Sequence, residues 1–309
     1  MGGCVLHKEM KLITGAGGLI GSTLKGDIII NGRSDLDLRN TEETFKFFKE
    51  KSPDTVIHTA AKVGGLGANM AYMSDFYIDN VLINSNVLEA SRRSGVKKLI
   101  SLLSTCIFPD NVEYPLTEFK LHEGEPHDSN FAYAYAKRML EVQSRAIFKQ
   151  HGLRYQCVIP TNVYGPNDNF SLTDGHVLPS LIHKCYLAKR SNKDFVVWGT
   201  GKPLREFIYS KDVGRLVDSL LLCEHSFDSL ILSNSVEMPI SHVAEEISRC
   251  MGFKGSIVYD KSKPDGQHRK PTSNARLKKI LPNFDFTPFE EGLSETVDWF
   301  IRNYESCRK

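Results

Sequence analysis

Short apolar runs alternate with helical patterns through the first half of the chain. Lys11-Leu-Ile-Thr14, Asp27-Ile-Ile-Ile-Asn31, Thr55-Val-Ile-His-Thr-Ala60, Lys98-Leu-Ile-Ser-Leu-Leu-Ser104 and Tyr155-Gln-Cys-Val-Ile-Pro160 are continuously apolar, as strands buried on both faces are. Residues 41–51, 75–94 and 130–150 between them predict helices. Strands alternating with helices predict an α/β fold, a Rossmann-type doubly wound parallel sheet with helices on both faces. After Pro160 the texture changes. Gly, Pro, Asn and Asp cluster from Thr161 to Gly175 and predict a loop. Helices over 178–189, 211–223, 241–251 and 289–304 then alternate with strands over 195–198, 230–233 and 256–259. A smaller C-terminal α/β unit follows from this pattern, some of its segments returning to the main sheet.

The length of 309 residues is about two domains' worth of chain. Thirty-nine basic against 37 acidic residues leave a charge of +2, which excludes a general nucleic-acid footprint. No apolar run approaches the ~18 residues of a membrane span. The seven cysteines, Cys4, Cys106, Cys157, Cys185, Cys223, Cys250 and Cys307, are odd in number and include no Cys-x-x-Cys pair. That speaks against a disulfide framework and a zinc site. Residues 1–11 hold no signal-peptide stretch, and Leu6 stands where myristoylation wants Ser or Thr. A cytoplasmic protein with no metal, membrane or nucleic-acid partner is expected, and the sequon Asn169-Phe-Ser171 reads as chance.

Gly15, Ala16, Gly17, Gly18, Leu19, Ile20 and Gly21 follow the first strand and open a helix of little more than one turn. Such a loop serves a dinucleotide: Gly15 for the tight turn, Gly18 for backbone approach to the pyrophosphate, Gly21 for close helix packing, and free N–H groups for the phosphates. An NAD site places an acid at the end of the second strand, about 20 residues on. Here the strand ends Asn31-Gly-Arg33-Ser34, without an acid. A guanidinium suits a 2′-phosphate, so NADP(H) is expected, with Asp37 and Leu38 beside the adenine.

Tyr133-Ala-Tyr135-Ala-Lys137 opens a helix, and Tyr133 and Lys137, four apart, share a face. The ammonium is expected to lower the phenol's pKa, making Tyr133 a proton donor near neutrality. Tyr135 faces elsewhere and packs. Ser104 ends a strand, where ligands sit in a doubly wound sheet, and there it donates to a substrate oxygen gaining charge. One such donor is worth ~2.7–4 kcal/mol of barrier. Thr105 faces the sugar beside it.

With these residues the chain resembles the extended short-chain dehydrogenase/reductase superfamily, which acts on nucleotide sugars. Four further stretches, Ala60-Ala-Lys-Val-Gly-Gly65, Ser104-Thr-Cys106-Ile-Phe-Pro109, Pro160-Thr-Asn-Val-Tyr-Gly-Pro-Asn-Asp-Asn-Phe170 and Asp174-Gly-His176-Val-Leu-Pro179, resemble its GDP-L-fucose synthase family, the GDP-4-keto-6-deoxymannose 3,5-epimerase-4-reductases. The resemblance runs from about Met10 to the end; the change of texture at Pro160 separates an NADP-binding domain (1–160) from a mainly GDP-sugar-binding domain (161–309), which are not expected to be two separable bodies. It implies cofactor contacts from Ala60, Ala61 and Lys62, from Leu102, Leu103, Ser104 and Thr105, and from Pro160, Thr161, Asn162, Val163 and His176, with Tyr133 and Lys137. It implies substrate contacts from Thr105, Asn162, Lys184, Trp198, Arg205 and Asp265. Lys184 departs from the Arg frequent in bacterial relatives and loses the bidentate fork.

The resemblance gives Cys106 and His176 their role. A ketone at sugar carbon 4 makes the protons on carbons 3 and 5 acidic. Inverting both centres takes a base and an acid, and Cys and His both serve near neutrality. Hydride then reaches carbon 4 from NADPH, and Tyr133 protonates the oxygen. Without the family pattern, Cys106 reads as a small buried hydrophobe and His176 as a loop residue. A homodimer through helices 75–94 and 130–150 is also implied. The rivals are another nucleotide-sugar epimerase or dehydratase and a non-catalytic NADP-binding regulator. Dehydratases carry carboxylates after the Thr where Cys106-Ile107 stand here, and such regulators usually lose the Tyr–Lys pair.

Overall fold

The computed structural model describes residues 9–223 and 229–309. The first half carries β1 (Lys11–Thr14), β2 (Ile28–Ile30), α1 (Thr41–Lys51), β3 (Thr55–His58), α2 (Leu66–Ala71), α3 (Met73–Arg93), β4 (Lys98–Leu102), α4 (Phe131–His151) and β5 (Arg154–Pro160). The second carries β6 (Asn162–Tyr164), α5 (Val177–Ser191), β7 (Phe195–Trp198), β8 (Leu204–Tyr209), α6 (Ser210–Leu222), β9 (Ser229–Leu232), β10 (Glu237–Pro239), α7 (Ile240–Met251), β11 (Ile257–Asp260), α8 (Ala275–Ile280) and α9 (Phe289–Arg302). Cys4 and Leu6 lie outside the described residues.

β1, β2, β3, β4, β5 and β9 form one parallel sheet in the order β2-β1-β3-β4-β5-β9. Its faces follow from the two-residue period of a strand. Leu12, Val56 and Leu99 enter a core beneath α1, α3 and α4, whereas their neighbours Ile13, Ile57 and Ile100 enter a second core beneath α6. Both faces are covered, which is why the strands read as unbroken apolar runs. The strand order reverses between β1 and β3, so a crevice opens at their carboxyl ends.

Local signals fix the helix ends. Asn40 Oδ1 accepts the Glu43 N–H at the start of α1, and Lys49 and Lys51 sit in its last turn. Gly152 ends α4 in the left-handed region, its N–H on the Phe148 carbonyl.

β6, β8 and β10 make a second, three-stranded sheet, and β7 pairs with β11. With α5, α7 and α9 they enclose a separate aromatic core. Phe170 from the loop after β6 is fully buried there, its ring centroid 4.5 Å from that of Phe300. So the stretch expected to be all loop contains a strand and is pinned by its own side chain. β6, β10, α2 and α8 are too short to carry a periodic signal. β8 is disguised by the charged pair Arg205-Glu206. Glu206 is buried and accepts from Ser233 Oγ at 2.9 Å, Thr272 N–H at 2.9 Å and Thr272 Oγ1 at 2.5 Å. Among the described residues no helix is long and apolar enough to cross a membrane, and no His, Cys, Asp or Glu cluster could hold a metal.

Candidate functional site

A cavity of about 680 Å³ occupies the crevice. Gly15 turns there at φ +72°, and a Cβ on it would lie 2.7 Å from Ala60 N. A Cβ on Gly21 would lie 2.1 Å from the Gly15 carbonyl oxygen, so both positions demand glycine. The helix after the loop is a single 3₁₀ turn, Gly21–Thr23. That is too short for an appreciable macrodipole, and the loop residues themselves line the cavity. Leu19 and Ile20 line it, and their N–H groups have no acceptor among the described residues. A backbone cradle closed to side chains, with free amides on the cavity, fits a pyrophosphate. Ala16 is buried beneath the loop, its N–H on the Ile30 carbonyl at 3.0 Å.

At the far end Arg33, Asp37, Leu38 and Lys62 line the cavity. Arg33 Nη2 lies 3.3 Å from Asp79 Oδ2, Lys62 Nζ 3.0 Å from the same oxygen, and Arg39 Nη1 3.1 Å from Asp79 Oδ1. One carboxylate on α3 therefore holds three cations at this end. Arg39 also pairs with Asp37 at 2.6 Å, and its hydrogen bond brings the Asp37 pKa down to about 2. Ala60 and Ala61 continue the wall toward Leu103, Ser104 and Thr105.

Ser104 caps a short 3₁₀ turn, Thr105–Ile107, its Oγ accepting the Cys106 N–H at 3.5 Å. Its hydroxyl also faces the Cys106 thiol, a hydrogen bond that pulls the thiol pKa down against burial. Tyr133 stands opposite, its ring edge-on to Phe76. Lys137 is buried behind it, Nζ donating to the Leu102 carbonyl at 2.9 Å. The expected lowering of the Tyr133 pKa is not what this geometry gives. Burial, with Cys106 nearby, pushes the phenol above its ordinary value, and Lys137 is itself lowered by burial to about 8. Leu102 is likewise corrected: its side chain is buried in the core beneath α6, and its carbonyl holds Lys137 instead of facing the cavity. Tyr135 packs as expected, with the Arg138 guanidinium 5.4 Å from its ring centroid.

Cys106 and His176 line the same cavity as Ser104 and Tyr133. Burial raises the Cys106 thiol, and the protein around the His176 ring, with the Arg308 charge, lowers its imidazolium although the residue itself is exposed, so both groups rest neutral, one with a proton to give and one with a lone pair to take. Pro160, Thr161, Asn162 and Val163 line the cavity too, Asn162 Nδ2 donating to the Glu206 carbonyl at 2.7 Å. Sequence reasoning missed Asn130, Asp168, Lys270 and Arg308, which also line it. Asn130 Oδ1, Thr161 Oγ1 and Asp168 Oδ2 are buried without a partner. The Lys270 ammonium lies close enough to pull against the burial of Cys106. Asp168 falls inside the quoted Pro160–Phe170 stretch, which is the signal that could have found it.

Lys184, Trp198 and Asp265 lie outside this cavity, in a patch of their own. The Lys184 ammonium sits 3.8 Å from the Trp198 ring centroid, and the ring is 54% exposed, so it is no core Trp. Asp265 accepts the Thr200 N–H at 2.6 Å and Thr200 Oγ1 at 2.7 Å. Arg205 bridges the two regions: it lines the cavity, and a Cβ on Gly266 would lie 3.7 Å from its Nη2.

Residues 11–227 match the NAD dependent epimerase/dehydratase family. The chain is 46% identical over 314 residues to the GDP-L-fucose synthase of Dictyostelium discoideum, covering 98% of each chain. It is 33% identical to that of Escherichia coli, over 98% of this chain and 100% of that one. It is also similar to the crystal structure of a GDP-L-fucose synthetase from Naegleria fowleri bound to NADP, with a TM-score of 0.90, 43% identity and coverage of 99% and 100%.

Proposed function

Because the chain belongs to the NAD-dependent epimerase/dehydratase family and, within it, to the GDP-L-fucose synthases, we propose that it converts GDP-4-keto-6-deoxy-D-mannose to GDP-L-fucose with NADPH. The observation that carries this is one cavity joining the glycine loop, Ser104 and Tyr133 to Cys106 and His176. A simple reductase needs only the first three. Proton exchange on two carbons beside a ketone needs the other two.

In this reading Arg33 and Lys62 hold the 2′-phosphate and the Gly15–Gly21 loop the pyrophosphate. When bound, NADPH supplies the hydride for carbon 4. Ser104 donates to the carbon 4 oxygen, which spreads the charge when a proton leaves carbon 3 or 5. Cys106 and His176 take that proton and return one to the opposite face. Tyr133, a neutral phenol, protonates the alkoxide, and Lys137 stands one turn behind it with its ammonium on the Leu102 carbonyl. Lys184, Trp198, Arg205 and Asp265 hold the GDP, so residues 1–160 chiefly serve the cofactor and 161–309 the substrate. The enzyme is thus an isomerase as well as an oxidoreductase. The test is incubation with GDP-4-keto-6-deoxymannose and NADPH, with loss of reduced-cofactor absorbance and GDP-L-fucose by NMR expected. Cofactor oxidation without inversion at carbons 3 and 5 would leave only a reductase.

Arg33→Ala is expected to weaken NADPH roughly 10- to 100-fold, the value of a charged hydrogen bond, and to leave NADH nearly unchanged. Equal losses in the two dissociation constants would remove the 2′-phosphate assignment.

A homodimer belongs to this reading. Tyr77 and Ile78 on α3 and Met139 and Val142 on α4 are exposed apolar side chains on adjacent helices, a face suited to a symmetry mate. Sedimentation is expected to give twice the chain mass, and Met139→Glu with Val142→Glu to give the single mass. A single-chain mass for the unaltered protein would rule the dimer out. The six described cysteines form no disulfide, which suits a cytoplasmic enzyme. Fractionation of the source cells checks it, and recovery in a secreted fraction would contradict it.

A further inference from the structure

We propose that Arg308 is a positioning residue for the proton-transfer half of the site, clamping the loop that carries Asp168 and His176 and lending that wall of the cavity its positive charge. The proposal rests on the epimerase reading above.

Beyond α9 the chain turns back on itself, with the Ser306 and Cys307 N–H groups both on the Asn303 carbonyl. This brings Arg308 to the loop after β6. Its backbone carbonyl accepts the Phe170 N–H at 2.8 Å, and its guanidinium donates to the Asn167 carbonyl at 2.5 Å. The two bonds bracket Asp168 on either side. Asn167 itself turns in the left-handed region at φ 65°, a conformation asparagine adopts readily, and this aims its carbonyl at the guanidinium. Its side chain also reaches Ser22 Oγ at 3.2 Å, tying the loop to the turn after the glycines.

Asp168 is 4% exposed, lines the cavity and leaves Oδ2 unpartnered. Burial brings its carboxyl up to about 7, against the pull of the Arg308 charge. His176, at the other end of the loop, is exposed, yet its pKa is lowered by the protein packed around the ring and further by the same charge. Asp174 shares the loop. Arg205 and Lys270, with the titratable Cys106 and Tyr133, line the cavity as well. Of these, Arg308 is the cation that reaches both Asp168 and His176. Ser104 caps the turn after β4, and Tyr133 and Lys137 stand on α4, all outside the clamped loop.

The experiment follows deuterium uptake at carbons 3 and 5 of GDP-4-keto-6-deoxymannose in heavy water against pH. The proteins are the unaltered one and the Arg308→Ala, Arg308→Gln and Arg308→Lys variants, each with its thermal midpoint and NADPH dissociation constant. Arg308→Ala is expected to slow exchange on the order of tenfold or more, as a displaced catalytic group does. NADPH binding should stay intact. Loss of the cation raises the imidazole pKa, so the limb of the profile set by His176 moves to higher pH. Arg308→Lys keeps that limb in place. Arg308→Gln moves it while retaining a donor for the Asn167 carbonyl, and serves if the Ala variant does not fold. Unaltered rate and profile in the Gln and Ala variants overturn the proposal. Equally slowed exchange with an unmoved limb in every variant reduces Arg308 to scaffold and overturns it too. Absence of exchange in the unaltered protein overturns the epimerase reading itself.

Discussion

Replacing Tyr133 with Phe is expected to slow reduction of the carbon 4 ketone by roughly 10²- to 10⁴-fold, the value of a positioned general acid, while sparing much of the proton exchange at carbons 3 and 5. The Phe ring keeps the edge-on contact with Phe76, so the loss isolates the hydroxyl. That hydroxyl is a neutral phenol in the resting site, because burial pushes its pKa above the ordinary value. It therefore holds a proton for the alkoxide when hydride arrives. Lys137 lies one turn on, its ammonium fixed by the Leu102 carbonyl, and with a pKa of about 8 it keeps most of its charge at neutrality. Enolate formation asks nothing of the phenol: Ser104 donates to the oxygen, and Cys106 and His176 move the carbon-bound protons. Cofactor absorbance and deuterium NMR on one sample separate the two steps. Full reduction by the Phe variant would move the acid elsewhere, and Tyr135 is poorly placed to replace it, with its ring covered by Arg138.

The pair at positions 133 and 137 illustrates what a sequence carries. Spacing along one helix puts the two side chains on one face, and strand ends point into the crevice of a parallel sheet, so the glycine loop, Ser104, Tyr133 and Lys137 were legible as residues. Which way Tyr133 shifts was not. That depends on desolvation by a packed cavity and on a carbonyl of β4 competing for the ammonium, neither of which has a local signature. Arg33 was legible from the missing acid at the end of β2. Its anchor Asp79, 46 residues on, was not, because such a contact exists only after α3 packs beside the sheet. Cys106 and His176 came from resemblance to a family, since neither spacing nor composition distinguishes them from a small core residue and a loop residue. Lys270 and Arg308 had no signal of any kind. They reach the cavity from more than 130 residues beyond Tyr133, through the second layer of sheet and helix, where β6 and β10 are three residues each and leave no period to read.

The Cys106→Ser and His176→Asn proteins should each bind NADPH normally and release little GDP-L-fucose. Both side chains line the cavity that Ser104 and Tyr133 line, and with the thiol pKa raised and the imidazolium pKa lowered both rest neutral. Each replacement keeps approximate size and some hydrogen bonding but removes the thiol proton or the imidazole lone pair, so proton transfer suffers and packing does not. A fall of roughly 10²- to 10⁴-fold in epimerisation is expected from removing one positioned acid or base. The reductive apparatus stands on other elements and stays assembled. Stalled epimerisation then lets hydride reach a sugar not yet inverted, giving a GDP-6-deoxyhexose of unaltered configuration at carbon 3 or 5. Deuterium uptake from heavy water at the two carbons, with product identity by NMR, separates loss of one proton transfer from loss of both. Exchange at the unaltered rate on both carbons in both variants would make the two residues structural. The search for acid and base would then turn to Asp168 in the wall of the same cavity, whose carboxyl burial pushes up to about 7.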